Sequence, residues 1–579
     1  MDLSSSLRSP IQARWVVLLA AVLFAWNVWA YDVWAPDEPF FAEGAREMID
    51  DGHWLVPHIN GQVNDHKPPL FFWLIALPSA TIGEVTSTTA RLPSILAGLG
   101  TLFLVMRLAQ RSGSAPAAGL AGLMMVTSHM FWEKSRSAQI DATLCFFVTL
   151  ALYAFAGFRD GRWSGLRAGL VFWSACALGT LAKGPVAVII PVGVALAVSL
   201  WDRRPGLLPR MGAVAGLAGF LVLTLSWAVA ATLADNGYSA FDALRVHFVD
   251  RASGGMHHVR PFWYYGKVLP YALLPWSPLL PGAVWFAWRR RRNPEDRLLL
   301  VWAVFVVLMF SVSTEKRDLY ILPAFPAFFL MIGRLAASIL EWWRDDDADS
   351  FRLGRRWLTV PIAISATLLA VAAVAAPLVA RAEAPEVTPH SFVLAAGLLG
   401  AALLIWWSLR RGLAVRAISR LAGAMAILLL IAVTFVYPRL NPSKSGRELA
   451  DVVAEQVRQH AAPDALFGIE IGYLHRPINF YPPGLYLDFV GPAEFANRAE
   501  ALFAAGRSAV LVIKQDRIGD IPVPVLRQAT TVYETRLSRR DVAVLRFDPP
   551  PQPQATPMPP APAEEDPAAA AGTPGGGGA

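Results

Sequence analysis

Cysteine and charge are both scarce in this chain. Of 579 residues only two are cysteine, Cys145 and Cys176, and both fall inside apolar stretches. Neither has metal-ligand spacing, and their depth argues against a disulfide, so they read as small buried apolar side chains. Charged residues make up 16% of the chain and hydrophobic ones 55%; soluble globular proteins average about 25% charged. Most of the chain therefore faces lipid or other helices. No glycine-rich nucleotide-binding loop is present, and no repeat of 20–50 residues. The formal net charge of +7 does not point to nucleic acid, because the arginines sit in short loops between apolar segments rather than along a stripe.

What is there is a series of long apolar runs. The first covers residues 15–34, behind Arg8 and Arg14. A cleaved signal peptide is the rival reading, but some twenty residues rich in Trp, Val and Leu are long enough to span a bilayer as an anchor. Residues 70–82 are apolar but short, and read as an interfacial or re-entrant helix. Further spans are expected at 92–109, 115–132, 139–158, 166–182, 185–201, 211–234, 263–288, 298–313, 319–341, 357–381, 390–409 and 420–437, about thirteen in all with the first. Alternating the loops puts Arg107, Arg111, Arg159, Arg203, Arg204, Arg289 to Arg292, Arg355, Arg356, Arg410 and Arg411 on the side of the basic N-terminus. That agrees with the positive-inside rule. The 21 Trp and 31 Phe suit interfacial belts and lipid-facing packing.

After residue 437 the pattern becomes that of a water-soluble unit. An amphipathic helix is expected at 443–460, strands at 465–471, 508–513 and 541–547, and a helix at 491–505. The expected organisation is a transmembrane domain over 1–437, with a first external loop at 35–91. A small α/β domain over 438–548 lies outside the membrane, and a Pro/Ala/Gly tail over 549–579 cannot bury a core.

The polar centre is residues 36–69. It opens on Asp37-Glu38 and closes on His66-Lys67-Pro68-Pro69, with Glu43, Arg46, Glu47, Asp50, Asp51, His53 and His58 between. Charge gathered at a membrane boundary is costly to organise and often functional, although a solvated loop would carry charge too. The alternation puts other polar groups on the same face. Asp141 lies at the outer start of an apolar helix; it is either functional or a helix cap. The loop 235–262 holds His247, Asp250, Arg251, His257, His258 and Arg260, and the run Ser313 to Tyr320 holds Lys316. Lys183-Gly184-Pro185 separates two apolar helices, and its lysine could instead snorkel from a helix end.

The Asp-Glu opening, the Lys-Pro-Pro closing, Lys183-Gly184, Pro261-Phe262-Trp263-Tyr264-Tyr265 and Tyr320-Ile321-Leu322-Pro323 occur in one order. They resemble the motifs of the membrane-embedded GT-C glycosyltransferases, meaning the aminoarabinose–lipid A transferases and the dolichyl-phosphate-mannose protein mannosyltransferases. The resemblance covers residues 15 to about 340. It implies an all-α polytopic fold of GT-C type, a polyprenyl-phosphate (undecaprenyl-phosphate) sugar donor and inversion at the anomeric carbon. The acceptor would be lipid A, another envelope glycan or a protein hydroxyl, and the site would face the periplasm from the bacterial inner membrane. On that reading Asp37 and Asp141 are the catalytic carboxylates, with Glu38 and Lys183 in support. Lys67, Arg251, Lys316 and Tyr320 hold the donor phosphate, since Arg offers a bidentate fork and Lys a point charge.

This chain also departs from the pattern. Asp37-Glu38-Pro39-Phe40-Phe41 stands where the aminoarabinose transferases carry Asp-Glu-x-Arg-Tyr, which leaves the acceptor open. His66 replaces a glutamate able to ligand zinc. With His247 and His258 it would form the ligand set of a divalent metal such as zinc; otherwise the histidines line a wet loop. The rival from another class is a polyprenyl-lipid transporter or flippase. It would place ionisable groups near mid-membrane, whereas the segments 185–201, 298–313, 357–381 and 390–409 are nearly free of charge in their middles.

Overall fold

The structure, a computed structural model, describes residues 13–64, 67–111, 114–234, 238–239, 259–342, 354–383, 385–482, 484–537 and 540–550. Among these residues, eight helices are long and apolar enough to cross a membrane, and shorter apolar helices stand beside them. The chain is an integral membrane protein, and its helices form one large apolar core. The helix Ala213–Ala234 is apolar all round, yet only Gly216 and Ala231 are buried in it. Such a helix needs an apolar solvent, which a bilayer supplies.

The expected segments and the observed helices differ where local chemistry interrupts the ladder. Helix α1 (Ala13–Ala25) stops nine residues before the end of the apolar run at 34. Asn27 takes a left-handed conformation, φ 61°, which Asn tolerates better than most residues, and its Nδ2 donates to the Val433 carbonyl at 2.7 Å. The segment 115–132 breaks after α5 (Ala115–Val126), where the Thr127 hydroxyl donates back to the Leu123 carbonyl and accepts from Trp276 Nε1. The segment 263–288 is two short helices, Tyr264–Ala272 and Leu280–Arg289, joined by a 3₁₀ turn at Ser277–Leu279. Pro270, Pro275, Pro278 and Pro281 all fall in this stretch, and each lacks the N–H that a continuous helical ladder would need.

Three further helices, counted in chain order with α1 and α5, frame the first loop. These are α2 (Glu38–Asp50), α3 (Leu70–Ile82) and α4 (Ser87–Arg111). A short hairpin, β1 (His58–Ile59) with β2 (Gln62–Val63), lies between α2 and α3. Helices α2 and α3 touch closely at Gly44. A Cβ there would come within 2.5 Å of Phe72, so only glycine fits the crossing. Beyond α5 come α6 (His129–Lys134), α7 (Ile140–Arg159), α8 (Gly165–Lys183) and α9 (Val186–Trp201). Gly184, φ +88°, and Pro185 make the break between α8 and α9, as the sequence suggests.

Residues 447–547 build a five-stranded mixed sheet in the order β4-β3-β5-β7-β6. Its strands are β3 (Leu466–Ile469), β4 (Asp488–Phe489), β5 (Ala509–Lys514), β6 (Ala529–Leu537) and β7 (Arg540–Phe547). β3 pairs in parallel with β4 and β5, and β7 runs antiparallel to β5 and β6. Successive side chains of β5 enter opposite cores. Val510 and Val512 pack with Leu449 and Val453 of the helix Arg447–His460, and Leu511 and Ile513 pack with Phe495 of the helix Pro492–Ala504. The short helix His475–Phe480 rests on α2. Phe480 joins Phe41, Phe71 and Phe72 in one cluster, Arg46 Nη2 donates to the Asn479 carbonyl at 3.1 Å, and Asn60 and Leu487 exchange two hydrogen bonds.

Candidate active site

Glu38 builds the site, although it does not line it. Its carboxylate is buried and takes both arms of the Arg91 fork, at 2.9 Å from Nε and 2.7 Å from Nη2. It also accepts the backbone N–H groups of Trp34 and Ala138, each at 2.8 Å. Arg91 in turn donates to the carbonyls of Val28, Tyr31 and Asp32. One ion pair thus ties the end of the loop after α1, the start of α2, helix α4 and the loop before α7. Removing one partner would leave the other charged and buried, the costly case.

That arrangement puts Asp37 beside the start of α7. Asp37 occupies the N-cap position of α2 but makes no cap hydrogen bond. Its Oδ2 instead accepts from Gln139 Nε2 at 3.2 Å and from Arg317 Nη2 at 2.5 Å. Burial pushes the Asp37 carboxyl up. The charge and hydrogen bond of Arg317, with Arg476 and Lys134 farther off, outweigh it and bring the group below the ordinary carboxylate value. Asp141 does not cap its helix: Gln139 holds the N-cap position, and Asp141 lies in the first turn, ion-paired with Lys183. The Lys183 ammonium also sits 4.9 Å from the centre of the Tyr320 ring. It turns inward from the end of α8 rather than toward an interface.

These groups share one cavity of about 730 Å³, whose charged lining includes Asp37, Lys67, Asp141, Lys183, Arg317 and Arg476. Apolar side chains line it as well, among them Val186 and Ile189 from α9 and Met309, Phe310 and Val312 from the helix Pro294–Val312. Tyr320 lines it too, packed against Phe310. So five residues singled out from the sequence, Asp37, Lys67, Asp141, Lys183 and Tyr320, meet around one space. Lys316 does not line it: its ammonium is buried and donates to the carbonyls of Arg260 and Ser313. Its neighbour Arg317 lines the cavity instead.

Arg317 and Arg476 escaped the sequence reading. The run Glu315-Lys316-Arg317-Asp318 offers two adjacent cations and no periodicity to say which faces in. Arg476 belongs to the sheet unit and is more than four hundred residues from Asp37 in the chain. Arg251, His66, His247 and His258 lie outside the described residues. Among the described residues no group of three or more His, Cys, Asp or Glu side chains could hold a metal ion.

Residues 14–235 match the family described as Dolichyl-phosphate-mannose-protein mannosyltransferase. The undecaprenyl phosphate-alpha-4-amino-4-deoxy-L-arabinose arabinosyl transferase of Pseudomonas paraeruginosa is 34% identical over 346 residues, which are 59% of this chain and 61% of that one. Its counterpart in Aeromonas salmonicida is 32% identical over 327 residues, 56% of this chain and 59% of that one. The chain thus aligns with about three fifths of the length of these curated relatives. In three dimensions it is similar to the crystal structure of ArnT from Cupriavidus metallidurans bound to undecaprenyl phosphate. The TM-score is 0.74 at 22% identity, over 92% of this chain and 98% of that chain. The motif resemblance is borne out: the chain is similar in sequence to the mannosyltransferase family and the aminoarabinose transferases, and it has the GT-C fold of ArnT.

Proposed function

We propose that this chain is an inverting glycosyltransferase that moves a sugar from a polyprenyl-phosphate donor to an envelope acceptor such as lipid A. The observation that carries the reading is the two-natured lining of the cavity, which combines carboxylates and cations with many apolar side chains. That combination suits a lipid-linked phosphate better than a free nucleotide sugar. Among the described lining residues four are cationic (Lys67, Lys183, Arg317, Arg476) and three are carboxylates (Asp37, Asp141, Glu315). One phosphodiester charge balances them.

In this reading Asp37 orients the acceptor hydroxyl or amine and takes its proton as the new bond to the anomeric carbon forms. Its lowered pKa keeps it ionised at neutral pH, ready to accept. The bond from the anomeric carbon to the phosphate oxygen breaks, and the departing polyprenyl phosphate gains a negative charge. Lys67 and Arg317 stabilise that charge where it develops, while Asp141 and Lys183 position Tyr320 and the charged lining of the cavity. Arg251 joins the phosphate ligands in this reading, while Lys316, whose ammonium donates to the Arg260 and Ser313 carbonyls, shapes the loop that carries Arg317. A divalent metal at His66, His247 and His258 belongs to the same reading. The fold is taken as about thirteen spans over 1–437, with the unit at 438–548 and the cavity both facing the periplasm of the inner membrane.

The test is transfer by purified protein from undecaprenyl-phosphate sugars to lipid A, together with mass spectrometry of lipid A and envelope glycans from a deletion strain. Loss of one sugar modification in that strain, matched by transfer in vitro, is the expected result. Movement of labelled polyprenyl lipid across liposomes with no sugar transfer would make the chain a flippase.

A further inference from the structure

We propose that Arg476, supplied by the C-terminal sheet unit, is a substrate-binding residue that takes a phosphate of the donor or of the acceptor beside Asp37. This rests on the glycosyl-transfer reading above and adds a second part of the chain to its site. Arg476 lines the same cavity as Asp37 and Arg317. Its Nη1 donates to the Pro36 carbonyl at 2.5 Å, and its guanidinium lies 4.7 Å from the centre of the Phe40 ring. These contacts fix the group next to the first loop but use little of its capacity. Guanidinium carries five N–H donors, and the buried Nε has no hydrogen-bond partner among the described residues.

The charge of Arg476 is only partly compensated, by the Asp37 carboxylate at a distance. Asp37, the carboxylate near it, is already paired with Arg317, and no ion pair to Arg476 is formed among the described residues. Burial lowers its pKa, the Asp37 carboxylate opposes that, and the Arg317 charge lowers it further, with a net shift downward. Two guanidinium groups held around one carboxylate leave a surplus positive charge in a partly desolvated place. A phosphate oxygen is the ligand that this geometry favours, because it meets the planar fork in two hydrogen bonds. The short helix that carries Arg476 is clamped to α2 through Arg46 and Phe480, so the sheet unit sets the reach of the guanidinium.

The experiment uses the full-length protein in detergent, with Arg476→Gln and Arg476→Lys variants. It measures binding of undecaprenyl phosphate, the KM for donor and for acceptor, kcat and the unfolding temperature. Losing a charged hydrogen bond to phosphate weakens binding by about ten-fold or more. Arg476→Gln should therefore bind undecaprenyl phosphate about ten-fold more weakly if the donor phosphate is the ligand. It should raise the acceptor KM by a like factor, with donor binding unchanged, if the acceptor phosphate is. Arg476→Lys should recover part of either loss, and serves as the test if the glutamine variant does not fold. Wild-type binding constants and KM values in both folded variants would overturn the assignment, whatever their kcat. Wild-type protein that neither binds undecaprenyl phosphate nor transfers sugar would overturn the transfer reading itself.

Discussion

Arg317 Nη2 lies 2.5 Å from Asp37 Oδ2, so the candidate base is held by a residue 280 positions away in the chain. The pair fixes the sign of a pH effect. Burial raises the Asp37 pKa and is the largest single influence, but Arg317 and the other cations together bring the net value below that of an ordinary carboxyl. A depressed carboxylate contributes stability above its unfolded pKa, about 3.9, and that contribution is lost as pH falls through the folded value. The acid limb of kcat/KM, if Asp37 governs it, should therefore lie below the normal carboxylate range. In Arg317→Gln burial is left less opposed, and the limb should move to higher pH. Rates measured from about pH 2.5 to pH 9, with stability followed in parallel, check this; the same acid limb in both proteins would separate Asp37 from the titration.

Asp141 and Lys183 make a second test possible, because chemistry and packing come apart there. The pair is mostly buried. Breaking it from one side leaves an uncompensated charge and costs roughly 3–5 kcal/mol. Lys183→Met alone should lower the unfolding temperature and the yield. The double variant Asp141→Asn with Lys183→Met should regain much of the stability and none of the transfer. Asp37→Asn should fold and lose about 10²–10⁴-fold in rate, the usual range for a positioned acid or base, whereas Asp141→Asn breaks the buried pair from its other side and should lose stability as Lys183→Met does, together with transfer. Near wild-type rates in both single variants would remove the two carboxylates from the mechanism.

Glu38 and Arg91 carry a structural prediction. Arg91 is fully buried and makes five hydrogen bonds to Glu38 and three carbonyls. Its ring contact with Tyr31, at 3.7 Å, adds stacking that an ammonium does not reproduce. Arg91→Lys should therefore behave almost as badly as Arg91→Ala, with each costing on the order of 3–5 kcal/mol. Size-exclusion profiles and unfolding temperatures in detergent are the measurement. Wild-type thermal stability in the lysine variant would mean that charge alone suffices at this position.

How much of this was legible in the sequence depends on which interactions are local. The break at Lys183-Gly184-Pro185 is written in residue chemistry, since a glycine at positive φ followed by proline ends one helix and begins another. The strands near 466–469, 509–514 and 540–547 follow from short apolar runs. The gathering of Asp37, Lys67, Asp141, Lys183 and Tyr320 at one cavity was approached through shared order and shared face. The bond partners were not legible. Nothing in Asp37-Glu38 says that the second carboxylate spends itself on Arg91 while the first faces the cavity. Nor does the Lys316-Arg317 pair say that the lysine folds back onto carbonyls. Both outcomes depend on contacts between segments far apart in the chain, and periodicity carries no information about those.

Orientation gives the last prediction. The sheet unit touches the first loop at several separate points. Arg447 pairs with Asp32 at 3.0 Å, the Ser445 hydroxyl donates to Asp32, Arg476 donates to the Pro36 carbonyl, and Asn60 exchanges hydrogen bonds with Leu487. Residues 32–60 and the unit after residue 440 must therefore lie on one side of the membrane. On the positive-inside rule the arginine-rich loops are expected on the opposite, cytoplasmic side. Alkaline phosphatase, active only outside the cytoplasm, should be active when fused after residue 60 and again after residue 440, and a reporter that works only in the cytoplasm should be silent at both. Activity at one site and not the other would contradict the packing of the sheet unit on the first loop. Cytoplasmic activity at both would keep that packing and turn the whole protein over, moving the cavity away from any periplasmic acceptor.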